Sequence, residues 1–138
     1  MKVLFVCQAN VGRSQMAEAF YNFHSQSNDA TSAGVEDFRK KYQHTPTREI
    51  IEAMLEKGID ISHQRIDFLT PGMLTSTDQV IVLCSKDLCP EFLLENEKVV
   101  FREIEDPHQQ DKKTTQRIRD QIEELVFELI TKNKNIEK

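Results

Sequence analysis

The chain has 138 residues, of which 38% are apolar and 30% charged, enough for one domain whose core needs no disulfide or metal staples. Its formal net charge of −5 excludes a global field that would gather nucleic acid or an anionic membrane surface. Any anion site must therefore be built locally, against an acidic background.

The first apolar run, Val3-Leu4-Phe5-Val6, is too short for a secretory signal core or a membrane span. The three cysteines, Cys7, Cys84 and Cys89, then read as thiols kept reduced in a cytoplasmic protein. Their odd number argues against a disulfide framework. They are either inert core residues or they do chemistry.

In chain order, residues 2–6 form a continuous apolar run of strand length, as in a strand covered on both faces. Residues 8–13 carry no helix or strand pattern. From Ser14 onward, Met16, Ala17, Phe20 and Phe23 recur at helical spacing. Residues 31–35 read as a weaker strand, followed by a polar, basic loop. Thr45-Pro46 supplies a cap and first-turn proline for a second helix. Ile50, Ile51, Met54 and Leu55 form its apolar stripe, and Gly58 stops it. Residues 79–83 are the next buried strand, 91–94 look helical, and 99–101 are a short strand. A last helix over 112–130 sets Ile118, Ile122, Leu125, Val126 and Leu129 on one face. Residues 131–138 read as a polar, frayed tail.

Four strands alternating with four helices predict a single α/β domain over 1–138: a four-stranded parallel sheet with right-handed crossovers and helices on both faces. Ligands of such sheets bind beyond the carboxyl ends of the strands. Cys7 follows the first strand, Cys84 the third, and Asp106 lies just past the fourth, so all three should converge on one edge.

Cys7-Gln8-Ala9-Asn10-Val11-Gly12-Arg13-Ser14 places a cysteine and an arginine at the two ends of a loop between strand and helix. That spacing suits a loop wrapped round a tetrahedral oxyanion such as phosphate or arsenate. Inward N–H groups and the helix N-terminus supply positive potential, and Arg13 can fork two oxygens. The same donors would stabilise a thiolate on Cys7 and make it a nucleophile. Ser14 can cap the helix or donate to the sulfur. The alternative is a cysteine ending a core strand and an arginine in solvent. The placement between strand and helix favours the anion loop.

Residues 3–20, with their Cys-x-x-Asn-x-x-Arg-Ser core, resemble the low-molecular-weight protein tyrosine phosphatase superfamily. Arg13-Ser14-Gln15-Met16-Ala17-Glu18 is more similar to its thioredoxin-coupled arsenate reductase branch. Thr31-Ser32-Ala33-Gly34, Gly58-Ile59-Asp60-Ile61-Ser62, residues 80–84 and Glu105-Asp106-Pro107 agree, so the resemblance spans nearly the whole chain. It implies the four-stranded parallel fold, substrate binding by Gln8 to Ser14, and Asp106 as general acid for the leaving oxygen. Without it, Asp106-Pro107 would read as a turn. The family usually has glycine where Ala9 stands, and often cysteine at the position of Gly12. Ala9 would be strained at positive φ; Gly12 leaves Cys84 as the thiol partner of Cys7.

For the reductase branch the resemblance implies a relay in which Cys7 takes arsenate, Cys84 resolves the adduct, and Cys89 takes over the disulfide for thioredoxin. The family's relay segment is longer than Cys84 to Cys89, so disulfide formation here would need the segment to unwind. Lys86 could lower a local thiol pKa. The rival is a phosphatase acting on phosphotyrosine or small aryl phosphates through Cys7, Arg13 and Asp106. There Cys84 and Cys89 would only protect against oxidation, or merely end a strand. His108 replaces the tyrosine that flanks aromatic substrates in the phosphatases. A third reading is an oxyanion-binding module with a decayed site. His24, His44 and His63 read as surface or capping residues. No metal site or cofactor is indicated, and a monomer is expected.

Overall fold

Every residue of β1 (Val3–Cys7) is buried, and side chains alternate along a strand, so both faces of the sheet are covered at this point. In the computed structural model, which describes residues 1–137, β1 is one of the two central strands of a parallel sheet in the order β2-β1-β3-β4. The others are β2 (Ala30–Gly34), β3 (Gln79–Val82) and β4 (Val99–Phe101). Cys7 pairs with Gly34, and Val6 with Val82. The carboxyl ends of β1, β2 and β3 thus lie side by side, which is where a parallel sheet opens to ligand. β1 ends one residue later than expected because Cys7 itself pairs with Gly34, while β4 has the expected bounds.

Helix α1 (Arg13–Ser25) follows β1 after a five-residue loop and packs on α5 (Lys112–Glu137). The apolar stripe of α1 ends one turn earlier than its spacing suggests: Met16, Ala17 and Phe20 are buried, whereas Phe23 is exposed. His24 is no plain surface residue. It stacks on Phe20 (ring centroids 5.9 Å), meets Phe127 at 4.3 Å, and bonds Glu123 at 2.9 Å.

Helix α2 (Arg48–Leu55) starts later than Thr45-Pro46 implies. The Thr45 N–H is tied to Tyr42 O in a turn, and Thr47 precedes the first helical residue. Ile50, Ala53 and Met54 face the core, while Leu55 is exposed. Gly58 ends the segment at φ +76°, the left-handed region that glycine enters freely. A further short helix, α3 (Pro71–Thr75), was not expected. It follows Thr70 with proline at its start and buries only Leu74, too little for a periodic signal. α4 (Glu91–Leu94) stands as expected.

The tail is the clearest departure. α5 runs on to Glu137 because its last turns are anchored. The Asn133 amide donates to the Tyr21 hydroxyl (2.9 Å) and to Gln79 Oε1 (2.8 Å), and the N-terminal ammonium bonds Glu137 at 2.8 Å. No described helix is long and apolar enough to cross a membrane. Asn133→Ala should lower unfolding free energy by about 1–3 kcal/mol, the usual cost of orphaning buried polar partners. Urea unfolding measures it, and a frayed tail would show no change.

Candidate active site

The loop after β1 is held against the end of β2. The Val35 N–H donates to Cys7 O and the Glu36 N–H to Gln8 O, both at 3.0 Å. This approach requires glycine at position 34. A Cβ there would stand 2.8 Å from Ala9 C, 2.9 Å from Gln8 O and 3.0 Å from Asn10 N, all backbone atoms that cannot swing aside. Ala9, flagged as a possible strain point, does not adopt positive φ. Asn10 does, at 61°, a conformation that asparagine tolerates better than most residues.

Among the described residues, none accepts a hydrogen bond from the backbone N–H groups of Ala9 through Ser14. Gly12 precedes α1 without a side-chain cap. A run of free N–H groups leading into a helix N-terminus is an anion cradle. Cys7, Gln8, Ala9, Val11, Gly12 and Arg13 line a cleft of about 530 Å³. Asn10 and Ser14, expected among the binding residues, are fully buried behind it. There the Asn10 Nδ2 donates to Ser14 Oγ at 2.6 Å, and Ser14 Oγ lies 2.9 Å from Cys7 Sγ. With Nδ2 occupying one of the two lone pairs of the serine oxygen, the hydroxyl proton can be directed at the Cys7 sulfur.

Arg13 is buried and fixed from behind. Its Nη1 donates to Ile104 O (2.9 Å) and Leu83 O (3.4 Å), and its Nη2 lies 3.7 Å from Asp106 Oδ2. Asp106 is half exposed at the cleft rim, and its other oxygen accepts the His108 N–H at 2.9 Å. The structure thus brings Cys7, Arg13 and Asp106 to one cleft, with His108 on the same wall. The loop after β2, which reads in sequence only as polar and basic, supplies further wall. Phe38, Lys41 and Tyr42 line the cleft, with Lys41 Nζ 5.4 Å and 5.6 Å from the two ring centres. Two aromatics among lysines were the available signal for it.

Cys84 and Cys89 do not line this cleft. Cys84 directly follows the Leu83 carbonyl that Arg13 contacts, and it is buried. Burial first, then repulsion from Cys89 and Cys7, push its pKa up to about 12, against a smaller opposing pull from Arg13. After the 3-10 turn Lys86–Leu88 the Cys89 thiol donates to Ser85 O at 3.6 Å, and both thiols are free. Cys89 is half-buried and its pKa is raised by burial, partly offset by the influence of Cys84. Lys86 instead sits 4.7 Å above the Phe101 ring. Among the described residues, no cluster of His, Cys, Asp or Glu is placed to hold a metal ion.

The family model for low molecular weight phosphotyrosine protein phosphatases matches residues 2–138. An arsenate reductase of Staphylococcus xylosus is 36% identical over 123 residues, covering 87% of this chain and 88% of that protein. A low molecular weight protein tyrosine phosphatase from T. tengcongensis superposes with a TM-score of 0.82 at 26% identity, covering 96% of this chain and 99% of that one. An arsenate reductase from Archaeoglobus fulgidus gives a TM-score of 0.76 at 30% identity, with coverages of 94% and 99%.

The Gly34 contact yields a direct test. Gly34→Ala should fold with a loss of roughly 1–3 kcal/mol, the usual cost of overpacking, and should bind oxyanions markedly more weakly because the loop must move. Titration with inorganic phosphate measures this; unchanged affinity would mean that the loop does not depend on the close approach.

Proposed function

This chain belongs to the low molecular weight phosphotyrosine protein phosphatase family, and we propose that within it the chain is an arsenate reductase coupled to thioredoxin through Cys7, Cys84 and Cys89. The observation that carries the reading is the second thiol pair. A buried Cys84 just past β3, beside the strand that delivers Cys7, has a half-buried Cys89 near enough to raise its pKa. Ester hydrolysis has no use for such a pair. The relatives named arsenate reductase, 36% and 30% identical, support it.

In the first step the Cys7 thiolate attacks arsenic while Ser14, Arg13 and the loop N–H groups balance the oxyanion charge. Asp106 gives its proton to the departing oxygen, which leaves as water. Cys84 then attacks Cys7 Sγ. A sulfur–sulfur bond forms, the sulfur–arsenic bond breaks, and its electron pair stays on arsenic, which leaves as arsenite. Cys89 next attacks Cys84 Sγ, releasing the Cys7 thiolate and leaving a Cys84–Cys89 disulfide. A thioredoxin dithiol reduces it. Cys89 is the pair's more exposed member, as a thiol meeting an external dithiol must be.

A second reading rests on the cleft wall. Phe38 and Tyr42 flank the entrance, where an aryl phosphate would place its ring, and Cys7, Arg13 and Asp106 suffice to hydrolyse it through a phosphocysteine. His108 also lines the cleft but carries no phenol.

Cys7→Ser should abolish turnover of arsenate and of phosphate esters alike, and Arg13→Lys should be severe, since an ammonium cannot reproduce the planar fork. Asp106→Asn should slow the first step by roughly 10²–10⁴-fold. After arsenate treatment, mass spectrometry should show Cys7–Cys84 accumulating in Cys89→Ser, but Cys84–Cys89 in the unmutated protein. Sustained thioredoxin-dependent reduction by a Cys84→Ser, Cys89→Ser double variant would exclude the relay.

A pH test follows from the protonated state of Cys84. Its raised pKa leaves only a small thiolate fraction near neutrality, and that fraction grows about tenfold per pH unit well below the pKa. Single-turnover formation of Cys7–Cys84 should accelerate accordingly between pH 7 and 9. A flat rate would show that loss of the Cys84 proton does not limit the step.

A further inference from the structure

We infer that Gln15 and Gln64 are positioning residues that hold Asn10 in its left-handed conformation and so aim the Ser14 hydroxyl at the Cys7 sulfur. The inference rests on Cys7 as nucleophile, not on arsenate as substrate.

Gln15 lies two residues beyond Arg13 on α1 and is fully buried. A glutamine amide in a core costs free energy unless each of its groups is bonded. Here Gln15 Nε2 donates to Asn10 O (2.9 Å), to Asn10 Oδ1 (3.1 Å) and to Arg65 O (3.0 Å). Its Oε1 accepts from Gln64 Nε2 at 2.6 Å. Gln64 is itself seated on a turn, its N–H bonded to Ile61 O. The Asp67 N–H adds a second donor to Asn10 Oδ1 at 2.9 Å.

The direction of these bonds carries the inference. Both oxygens of Asn10 are held by donors, so its amide cannot flip, and Nδ2 is left pointing at Ser14 Oγ. With one lone pair of Ser14 Oγ so taken, its proton turns toward the sulfur 2.9 Å away. The chain Gln64 → Gln15 → Asn10 → Ser14 → Cys7 runs in one sense throughout, each bond polarising the next. A non-glycine residue at positive φ persists only where its surroundings over-determine it, and here two bonds from Gln15 to one asparagine do so. Gln64 belongs to a segment remote from the loop in sequence. The same segment bonds β2, where the Gly34 N–H donates to Asp67 O at 2.9 Å. It therefore braces the loop and its neighbouring strand together.

The test uses Gln64→Met and Gln15→Met in the full chain, which remove the amides at similar volume. Cys7 alkylation by iodoacetamide is followed by peptide mass across pH 5 to 9, beside p-nitrophenyl phosphate hydrolysis. The charged and titratable groups around Cys7, namely Arg13, Asp106, His108, Lys41, Glu49 and Cys84, are unchanged in both variants. Expected are alkylation about tenfold slower at pH 7, a pH profile moved toward higher pH, and kcat reduced by a similar factor with KM little altered. A folded Gln64→Met variant with alkylation within twofold of wild type and an unmoved profile would overturn the inference. So would a slower rate with an unmoved profile, which marks lost packing alone. Should Gln15→Met fail to fold, the half-buried Gln64 variant decides by itself. Failure here leaves the arsenate reading standing, because the readout involves no arsenic.

Discussion

Between Cys7 and Arg13 the chain must leave a strand in the middle of the sheet and enter a helix while the N–H groups of the connecting loop stay unbonded. Orphaned N–H groups at a sheet edge are costly unless an anion or water meets them, so the loop cannot be stabilised by its own ladder. Its support comes from behind and from the side. β2 reaches past its last residue to bond Cys7 O and Gln8 O, and it can do so only because Gly34 has no side chain to collide with Ala9 and Asn10. Arg13 is pinned by two backbone carbonyls before any substrate arrives. The positive site on an acidic chain is thus almost wholly backbone, one guanidinium and geometry.

The three thiols are held in different electrostatic states. Cys7 opens the N–H loop, with the Ser14 hydroxyl oxygen 2.9 Å from its sulfur. Cys84, two residues past β3, is buried without comparable donors, and burial keeps it protonated. Cys89 lies nearer solvent. This ordering matches a chemistry that starts in the cleft and ends at the surface. In the proposed relay the thiol that acts first lies in the cleft, the second is buried and protonated, and the third meets the outside.

Much of this was legible in the sequence because it is set by short-range chemistry. The four-strand alternation, the Cys7 to Ser14 loop and the placing of Cys84 and Asp106 at strand ends follow from apolar runs and spacing. What escaped depends on contacts between distant segments. Asn133 looks like a tail residue until Tyr21 and Gln79 are seen to bond it. Phe23 fits a helical stripe but lies beyond the reach of the core. α3 is too short to show a period. Gly34 could be matched to a motif, yet the reason for glycine lies in backbone atoms some 25 residues earlier. Ala9 stands where the family usually has glycine, yet the left-handed residue is its neighbour Asn10, held by side chains whose pairing no linear pattern reveals.

One comparison bears on all of this at once: arsenate-dependent oxidation of thioredoxin and hydrolysis of an aryl phosphate, followed on a single preparation of the unmutated protein. The thiol arrangement predicts continuous thioredoxin consumption with arsenite released in equal amount, and slower ester hydrolysis through the same Cys7. Brisk ester hydrolysis with no thioredoxin consumed would contradict the relay and make the chain a phosphatase whose second thiol pair has no part in turnover.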